Sequence, residues 1–539
     1  MEPQFSKKRA GRRKRWATAG ALALGAALTA LTLIFPKIGI LEWVAMIPLV
    51  TGACCLCADP DTGLWRAWRG GFFATFCFYF VLYHWLVNLY PMDFLGIDTS
   101  TAVTIIVSGW VGIPILNAIV GGFGFLLFRV MHRSGVFSRV PLLRPFAFAA
   151  IWTVLEWCTA QTWMGVPWGR LALGQIEMLP MLGSASLFGS YAVSFLIVAV
   201  NGLLAELFFR ERRGRILCGV LAAVLFAANL TYGLIWFRGE TGSATTVRAA
   251  VLQGNISSHE KWDSNSLNRI KTVYGDQARA AAAQGAELII WPESAIPYDL
   301  DRSPSLRAYL SDLARETETT MLVGALMRDE NNREYNVLFE VFPDGEFSET
   351  VYAKRHLVPF GEYVPMRDLI VTLIPALGEV AVLEDDLLPG TGSEVFTTEW
   401  GGIGSLICFD SIYETLALES VRDGAELMVV SSNDSWFYDS AAVYQHEAQA
   451  QLRAVETGRW FLRSANTGIS TVISPKGETT AWIDPLTEGY AVREVSFLSE
   501  RTLYSRIGNL FVWVLIAFVL LLAPVADPFC RKKDRKGQL

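Results

Sequence analysis

The chain runs to 539 residues, 52% of them hydrophobic and only 18% charged, with a mean hydropathy of +0.33. A chain this apolar is not an ordinary soluble protein, and its default reading is a membrane protein. The formal net charge of −6 hides basic short loops and an acidic long segment, a pattern that gives no footing for nucleic acid.

A basic stretch comes first, residues 1–15, with Lys7, Lys8, Arg9, Arg12, Arg13, Lys14 and Arg15. Residues 16–239 then hold seven apolar runs of the length a spanning helix needs, about 20 residues. They centre on ATAGALALGAALTALTLIF, LEWVAMIPLVTGACCLC, FFATFCFYFVLYHWLVNLY, VTIIVSGWVGIPILNAIVGGFGFLLF, FAFAAIWTVLEWCTA, LFGSYAVSFLIVAVNGLLAEL and LCGVLAAVLFAANLTYGLIWF. The first follows a basic segment, as the core of a signal peptide does. Its length, the missing small-residue cleavage site before Phe35 and Pro36, and the similar runs behind it make it a retained helix.

Arginine collects in alternate loops: at Arg66 and Arg69, at Arg129, Arg133, Arg139 and Arg144, and at Arg210, Arg212, Arg213 and Arg215. The loops between hold only Lys37 and Arg170. An eighth apolar run, LFVWVLIAFVLLLAPVA, falls in residues 504–528, and a basic tail follows in 529–539. Because basic loops stay in the cytoplasm, the pattern predicts eight helices, both termini inside, and residues 240–503 outside.

That outer segment of about 260 residues is long enough for one sizeable core. Its strand candidates are VRAAVLQG, AELIIWPE, TTMLVGAL, YNVLFEVF, GGIGSLICFD, AELMVVSSND and WFLRSANTGISTVIS. Helix candidates lie around 263–284, 303–316, 411–423 and 440–457. Strands alternating with helices predict an α/β layered domain. Residues 366–391 are unusually apolar for an exposed connection and read either as a lid dipping into the outer leaflet or as a buried core helix.

Cys408 is the one cysteine of the outer segment, so no internal disulfide is available to it. A thiol nucleophile needs a base to take its proton and a cation or hydrogen-bond donor to hold the oxyanion that forms. Glu293 in AELIIWPES and Lys354 in YAKRHLVPFGEYVP supply both at two other strand ends, with Glu362 close behind Lys354. Singly, such residues are a buried thiol and two solvated charges; together, at three strand ends of one domain, they make a candidate site. His446 has no second histidine or cysteine at ligand spacing, which argues against a metal role. Asn433 and Asp434, beside Trp436, read as a strand-end turn that shapes the pocket. His84 and Glu156 lie within membrane runs, where ionisable groups are costly and worth following.

The strings WPES, YAKRHLVPFGEYVP and GSLIC resemble the Glu, Lys, Cys triad regions of the nitrilase superfamily. QGNISSHEKWD, SNDSWF, RAVETGRWFLRSANTGIS and, in the membrane part, GVPWGRLALGQ at 165–175 resemble the bacterial apolipoprotein N-acyltransferase family. The resemblance implies a bundle of eight membrane helices carrying an extracytoplasmic αββα nitrilase-like domain, in a bacterial cytoplasmic (inner) membrane. It further implies transfer of an acyl chain from a phospholipid, phosphatidylethanolamine above all, to the α-amino group of a lipoprotein's N-terminal diacylglyceryl-cysteine. Glu293 would be general base, Cys408 nucleophile and thioester carrier, and Lys354 the oxyanion donor, with no metal and no other cofactor. Glu362 matches a second glutamate of the family and Trp262 a tryptophan near the substrate. Where the family has Tyr and Glu after its cysteine, this chain has Phe409 and Asp410; any bond the longer acid made must be re-formed through water or a shifted backbone. The alternatives are a membrane-tethered amidase that delivers water to the thioester, and a scaffold with a dead domain.

Overall fold

The computed structural model describes residues 2–92, 98–161, 165–240, 242, 245–261, 266–368, 372 and 386–523. Contacts divide the chain into two units: Met1–Leu86, Val107–Arg238 and Asn509–Leu539 in one, Val87–Ile106 and Gly239–Gly508 in the other.

All eight apolar runs contain helix, and six give helical spans long and apolar enough to cross a membrane: Arg13–Ile34, Pro36–Ala58, Leu64–Leu89, Thr99–Arg133, Ser190–Phe208 and Arg212–Arg238. The other two are shorter than predicted. Leu143–Cys158 has 16 residues and Leu510–Leu522 has 13, with the end of that last run outside the described residues.

Within the bundle, polar groups answer one another, as an apolar interior requires. Gln175 Nε2 donates to Glu42 Oε2 at 2.7 Å and to Gly39 O at 2.8 Å, and Asn201 Nδ2 donates to Glu42 O at 2.9 Å. Glu156 accepts from Ser194 Oγ at 2.7 Å, which supplies the partner that sequence alone could not name, while His84 is exposed.

The second unit is built on two sheets. β1 (Thr245–Gln253), β2 (Leu288–Ile290) and β4 (Thr320–Arg328) run parallel at the centre of the first, and β3 (Ile296–Asp299) pairs parallel with β4. Antiparallel strands extend it: β13 (Gly489–Phe497) beside β1, then β5 (Glu334–Val341) and β6 (Phe347–Ala353) beyond β4. The second sheet repeats the plan. Parallel β8 (Gly401–Ile407), β9 (Leu427–Ser432) and β10 (Phe461–Ala465) are flanked by antiparallel β7 (Val395–Thr398) on one side and β11 (Ser470–Ile473) and β12 (Thr479–Ile483) on the other.

Alternation along the strands explains the layering, since successive side chains point to opposite faces. Val247, Ala249 and Val251 of β1 join Leu288, Ile403, Leu427 and Leu462 in a core that both sheets share. Ala250 and Leu252, with Met321 and Val323, face a second core filled by helices Leu267–Ala283 and Pro304–Thr317. Helices Glu414–Arg422 and Ala441–Thr457 pack on the other sheet, completing four layers, helix, sheet, sheet, helix.

Gly324 in β4 sets how closely the turn after β2 can approach the sheet. A Cβ there would lie 2.2 Å from Pro292 O and 2.9 Å from Glu293 Cα, so only glycine lets that turn rest on the strand. Gly324→Ala is expected to destabilise the protein by about 1–3 kcal/mol, read as a lowered Tm in detergent. Gly489→Ala, whose added Cβ meets only Ile483 at 3.7 Å, is the control and should stay within about 0.5 kcal/mol of the parent.

Candidate active site

The carboxyl ends of β2, β6, β8 and β9 deliver Glu293, Lys354, Cys408 and Asp434, the edge of an α/β sheet where sites gather. Cys408 begins a 3-10 turn, Cys408–Ile412, directly after β8, and its φ of 49° is a left-handed conformation that costs a side-chain-bearing residue energy. Neighbours hold it there. Ser411 Oγ donates to Cys408 O at 2.7 Å, and the Ile407 N–H donates to Asp410 Oδ2 at 3.1 Å.

Asp410 does more than close this turn. Fully buried, it accepts from Tyr352 Oη at 2.9 Å, from Arg355 N at 3.2 Å and from His356 N at 2.7 Å. These donors flank Lys354, so one carboxylate ties the backbone that carries the lysine to the turn that carries the thiol. Asp410, the shorter acid, thus bonds these donors directly. Phe409 packs edge-on against Tyr413, ring centroids 5.6 Å apart.

Lys354, 1% exposed, sits between two carboxylates. Its Nζ donates to Glu293 Oε1 at 2.9 Å and to Glu362 Oε1 at 2.8 Å. Asn336 Nδ2 donates to Glu293 Oε1 at 2.7 Å, and the Val358 N–H to Glu362 Oε2 at 2.7 Å. Burial works against the ammonium, but the charges of Glu293 and Glu362 outweigh it and hold Lys354 well above its ordinary pKa. Burial also pushes Glu362 up, with Lys354 opposing and Glu293 adding to the rise. Cys408 feels the same field: burial and then the charge of Glu293 push its thiol up, and Lys354 pulls it back in part. At rest the thiol is neutral.

A second buried lysine enters the site. Lys261 Nζ donates to Glu293 O at 2.9 Å, and burial brings its pKa down to about 8 against the pull of Glu293 and Cys408. Sequence reasoning passed over it, although it stands in the EKWD string beside Trp262; Trp262 itself lies outside the described residues. Most of the apolar segment 366–391 also lies outside them. The backbone leaving that segment is held at the site, with Leu387 N donating to Glu362 O at 2.9 Å and Gly390 N to Lys354 O at 2.8 Å.

Asp434 is no simple turn residue. Its Oδ2 accepts from Arg463 Nη2 at 2.6 Å, and its Oδ1 accepts from Ser432 Oγ at 2.9 Å and lies 2.7 Å from His446 Nδ1, all in full burial. Among the described residues, Cys408, Asp434 and His446 bring ligand-type atoms within 4.8 Å of one another. Oδ2 is engaged by Arg463 and Oδ1 by Ser432 and His446, so a cation there would compete with these partners.

Burial opposes the charge of Asp434, yet Arg463 and His446 overcome it and hold the carboxyl well below the usual range. A carboxyl depressed in the folded state lends stability that is present above its unfolded value near 3.9 and lost as the pH falls toward the folded one. Asp434→Asn should therefore cost about 3–5 kcal/mol at pH 7, because it strands Arg463 in the interior. In thermal unfolding the deficit should hold steady across pH 5–8 and narrow only below about pH 4.

Comparison with known proteins finds relatives along most of the chain. The carbon-nitrogen hydrolase family profile matches residues 248–502, and the profile of the apolipoprotein N-acyltransferase N-terminal domain matches residues 25–203. Apolipoprotein N-acyltransferase of Gloeobacter violaceus is 32% identical over 512 residues, 94% of each chain. That of Geobacter metallireducens is 30% identical over 517 residues, 93% of this chain and 94% of its own. Among solved structures, the C. elegans NitFhit protein aligns with 52% of this chain and 65% of its own at 19% identity, TM-score 0.39. Saccharomyces cerevisiae Nit3, of the nitrilase superfamily, aligns with 47% of this chain and 91% of its own at 22% identity, TM-score 0.37. On the strength of the full-length relatives, the chain belongs to the apolipoprotein N-acyltransferase family.

Proposed function

We propose that this membrane protein N-acylates lipoproteins by way of a thioester on Cys408, with a phospholipid as acyl donor. The observation that carries the reading is the convergence of Glu293, Lys354 and Glu362 in one buried hydrogen-bonded set that is electrostatically coupled to Cys408.

A neutral thiol is a poor nucleophile, so its proton must leave as it attacks. Glu293 takes that proton, and Sγ adds to the acyl ester carbon of the phospholipid. An ammonium has three N–H donors; Glu293 and Glu362 occupy two of those on Lys354, leaving the third for the oxyanion of the tetrahedral intermediate. Collapse breaks the C–O bond, Glu293 returns the proton to the departing lysophospholipid oxygen, and a thioester remains. The α-amine of the diacylglyceryl-cysteine then adds to the thioester carbon and gives a proton to Glu293. Breaking the C–S bond releases the amide, and Glu293 restores the thiol proton. Ester bond and amine are consumed, amide and alcohol are formed, and the chain returns unchanged.

Glu362 acts through Lys354, fixing its direction between the two carboxylates. Phosphatidylethanolamine as donor follows the family resemblance. The arginine distribution supports both termini in the cytoplasm, eight crossings in all, and residues 240–503 on the outer side of a bacterial cytoplasmic membrane. Domain limits at 1–15, 16–239, 240–503, 504–528 and 529–539 rest on the same pattern.

The test is covalent capture. Purified protein in detergent, incubated with phosphatidylethanolamine carrying an alkyne on its acyl chain, should acquire a hydroxylamine-sensitive label that Cys408→Ala abolishes and Glu293→Gln reduces by roughly 10²–10⁴-fold in rate. A label that persists in Cys408→Ala, or none at all in the parent, would overturn the reading.

A further inference from the structure

Behind the nucleophile lies a buried network that the acyl transfer itself leaves unused. Helix Ala441–Thr457 places His446, 1% exposed, with Nδ1 2.7 Å from Asp434 Oδ1 and Nε2 3.1 Å from Cys408 O. Nδ1 also lies 3.2 Å from Arg463 Nη2 and Nε2 3.2 Å from Ser411 Oγ; because a carbonyl only accepts, the contact of Nε2 with Cys408 O is made with a proton on Nε2. Asp434 is itself fixed, by Arg463 of β10 and by Ser432 at the end of β9. Even the opposite wall is shaped to it: a Cβ on Gly468 would lie 2.1 Å from Asp434 Oδ2. The chain Arg463, Asp434, His446 therefore ends on the carbonyl of Cys408, the residue whose φ of 49° is strained.

We propose that His446, oriented by Asp434 and Arg463, is a positioning residue for the acyl transfer: its Nε2 grips the carbonyl of Cys408 and holds the left-handed turn from which Sγ reaches the acyl carbon. Two donors meet that carbonyl, Nε2 and the hydroxyl of Ser411, from different elements. A peptide plane held from two directions cannot swing, and the Cα–Cβ bond of Cys408 is aimed with it. The backing network also keeps Asp434 paired, so that its negative charge, which opposes the Cys408 thiolate, is answered by Arg463 and His446. The inference rests on Cys408 being the nucleophile.

The experiment compares His446→Asn with His446→Gln. Glutamine carries its amide nitrogen about as far from the backbone as Nε2 and can still reach the Cys408 carbonyl; asparagine reaches only as far as Nδ1. With alkyne-labelled phosphatidylethanolamine and a diacylglyceryl peptide, His446→Asn should lose roughly 10²-fold in kcat with KM for the lipid near the parent value, because a small misplacement of a reacting group is enough for such a loss. His446→Gln should recover most of it. Alkylation of Cys408 by iodoacetamide should follow the same order. Equal losses in both variants, in step with a lowered Tm, would reduce His446 to packing and overturn the proposal. If neither variant folds, Ser411→Ala decides: lower kcat at parental Tm and KM supports the grip on the carbonyl, and parental kcat refutes it. A parent that takes no label from the lipid yet shows the alkylation order would count against the acyl-transfer reading and leave the positioning role standing.

Discussion

An ammonium with almost no exposure to water is costly unless its charge is answered nearby, and Lys354 is answered twice, by Glu293 and Glu362. Much of the second unit is arranged around that requirement. Glu293 arrives from β2 only because Gly324 leaves room for the turn that bears it. Lys354 leaves β6 under the hold of Asp410, which also closes the turn of Cys408. Glu362 is fixed by the backbone of Val358, and Asn336 donates to both carboxylates. Each member comes from a different strand end or loop, so the sheets must be formed before the cluster exists. In the proposed reaction such a preformed cluster would supply its charges without first being assembled, the condition under which electrostatic stabilisation is strongest.

Several buried polar groups of the bundle are answered by neutral partners instead. Glu42 is met by Gln175, and the main chain of Gly39 comes so close to Gly174 that a Cβ on Gly39 would lie 1.6 Å from its carbonyl oxygen. Arg170 donates to Ser190 and Tyr191, and Arg129 to the carbonyls of Cys57 and Thr62. In an apolar interior each such contact carries more weight than it would in water, and each fixes one helix against the next.

The features that sequence alone could disclose came from local pattern. The apolar runs, the parallel core strands and the helices over them are legible because their periodicities are short-range. Glu293 and Cys408 stood out because each comes just after an apolar strand, and Lys354 and Glu362 because they lie together in YAKRHLVPFGEYVP. Strands Phe347–Ala353, Thr479–Ile483 and Gly489–Phe497 escaped notice because they are partly exposed and carry polar residues that blur the alternation. Lys261, and the line from Arg463 through Asp434 to His446, escaped because their meaning lies in partners tens of residues away, 32 for Lys261 and 29 for Arg463. The bonds of Asp410 were out of reach for a related reason: the length of a side chain says little until the position of its donors is known. Two of the eight apolar runs form helices shorter than their hydropathy suggests, since helix ends are set by tertiary contacts as well as by composition.

The central claim is that one buried cluster serves two successive acyl transfers through Cys408. It is tested most directly by isolating the labelled protein, free of donor lipid, and adding a diacylglyceryl peptide. The label is expected to leave Cys408 and appear in amide linkage at the peptide's N-terminus, at a rate that rises with peptide concentration. Release of the label as free fatty acid at one rate, with or without the peptide, would contradict it and make the protein a hydrolase.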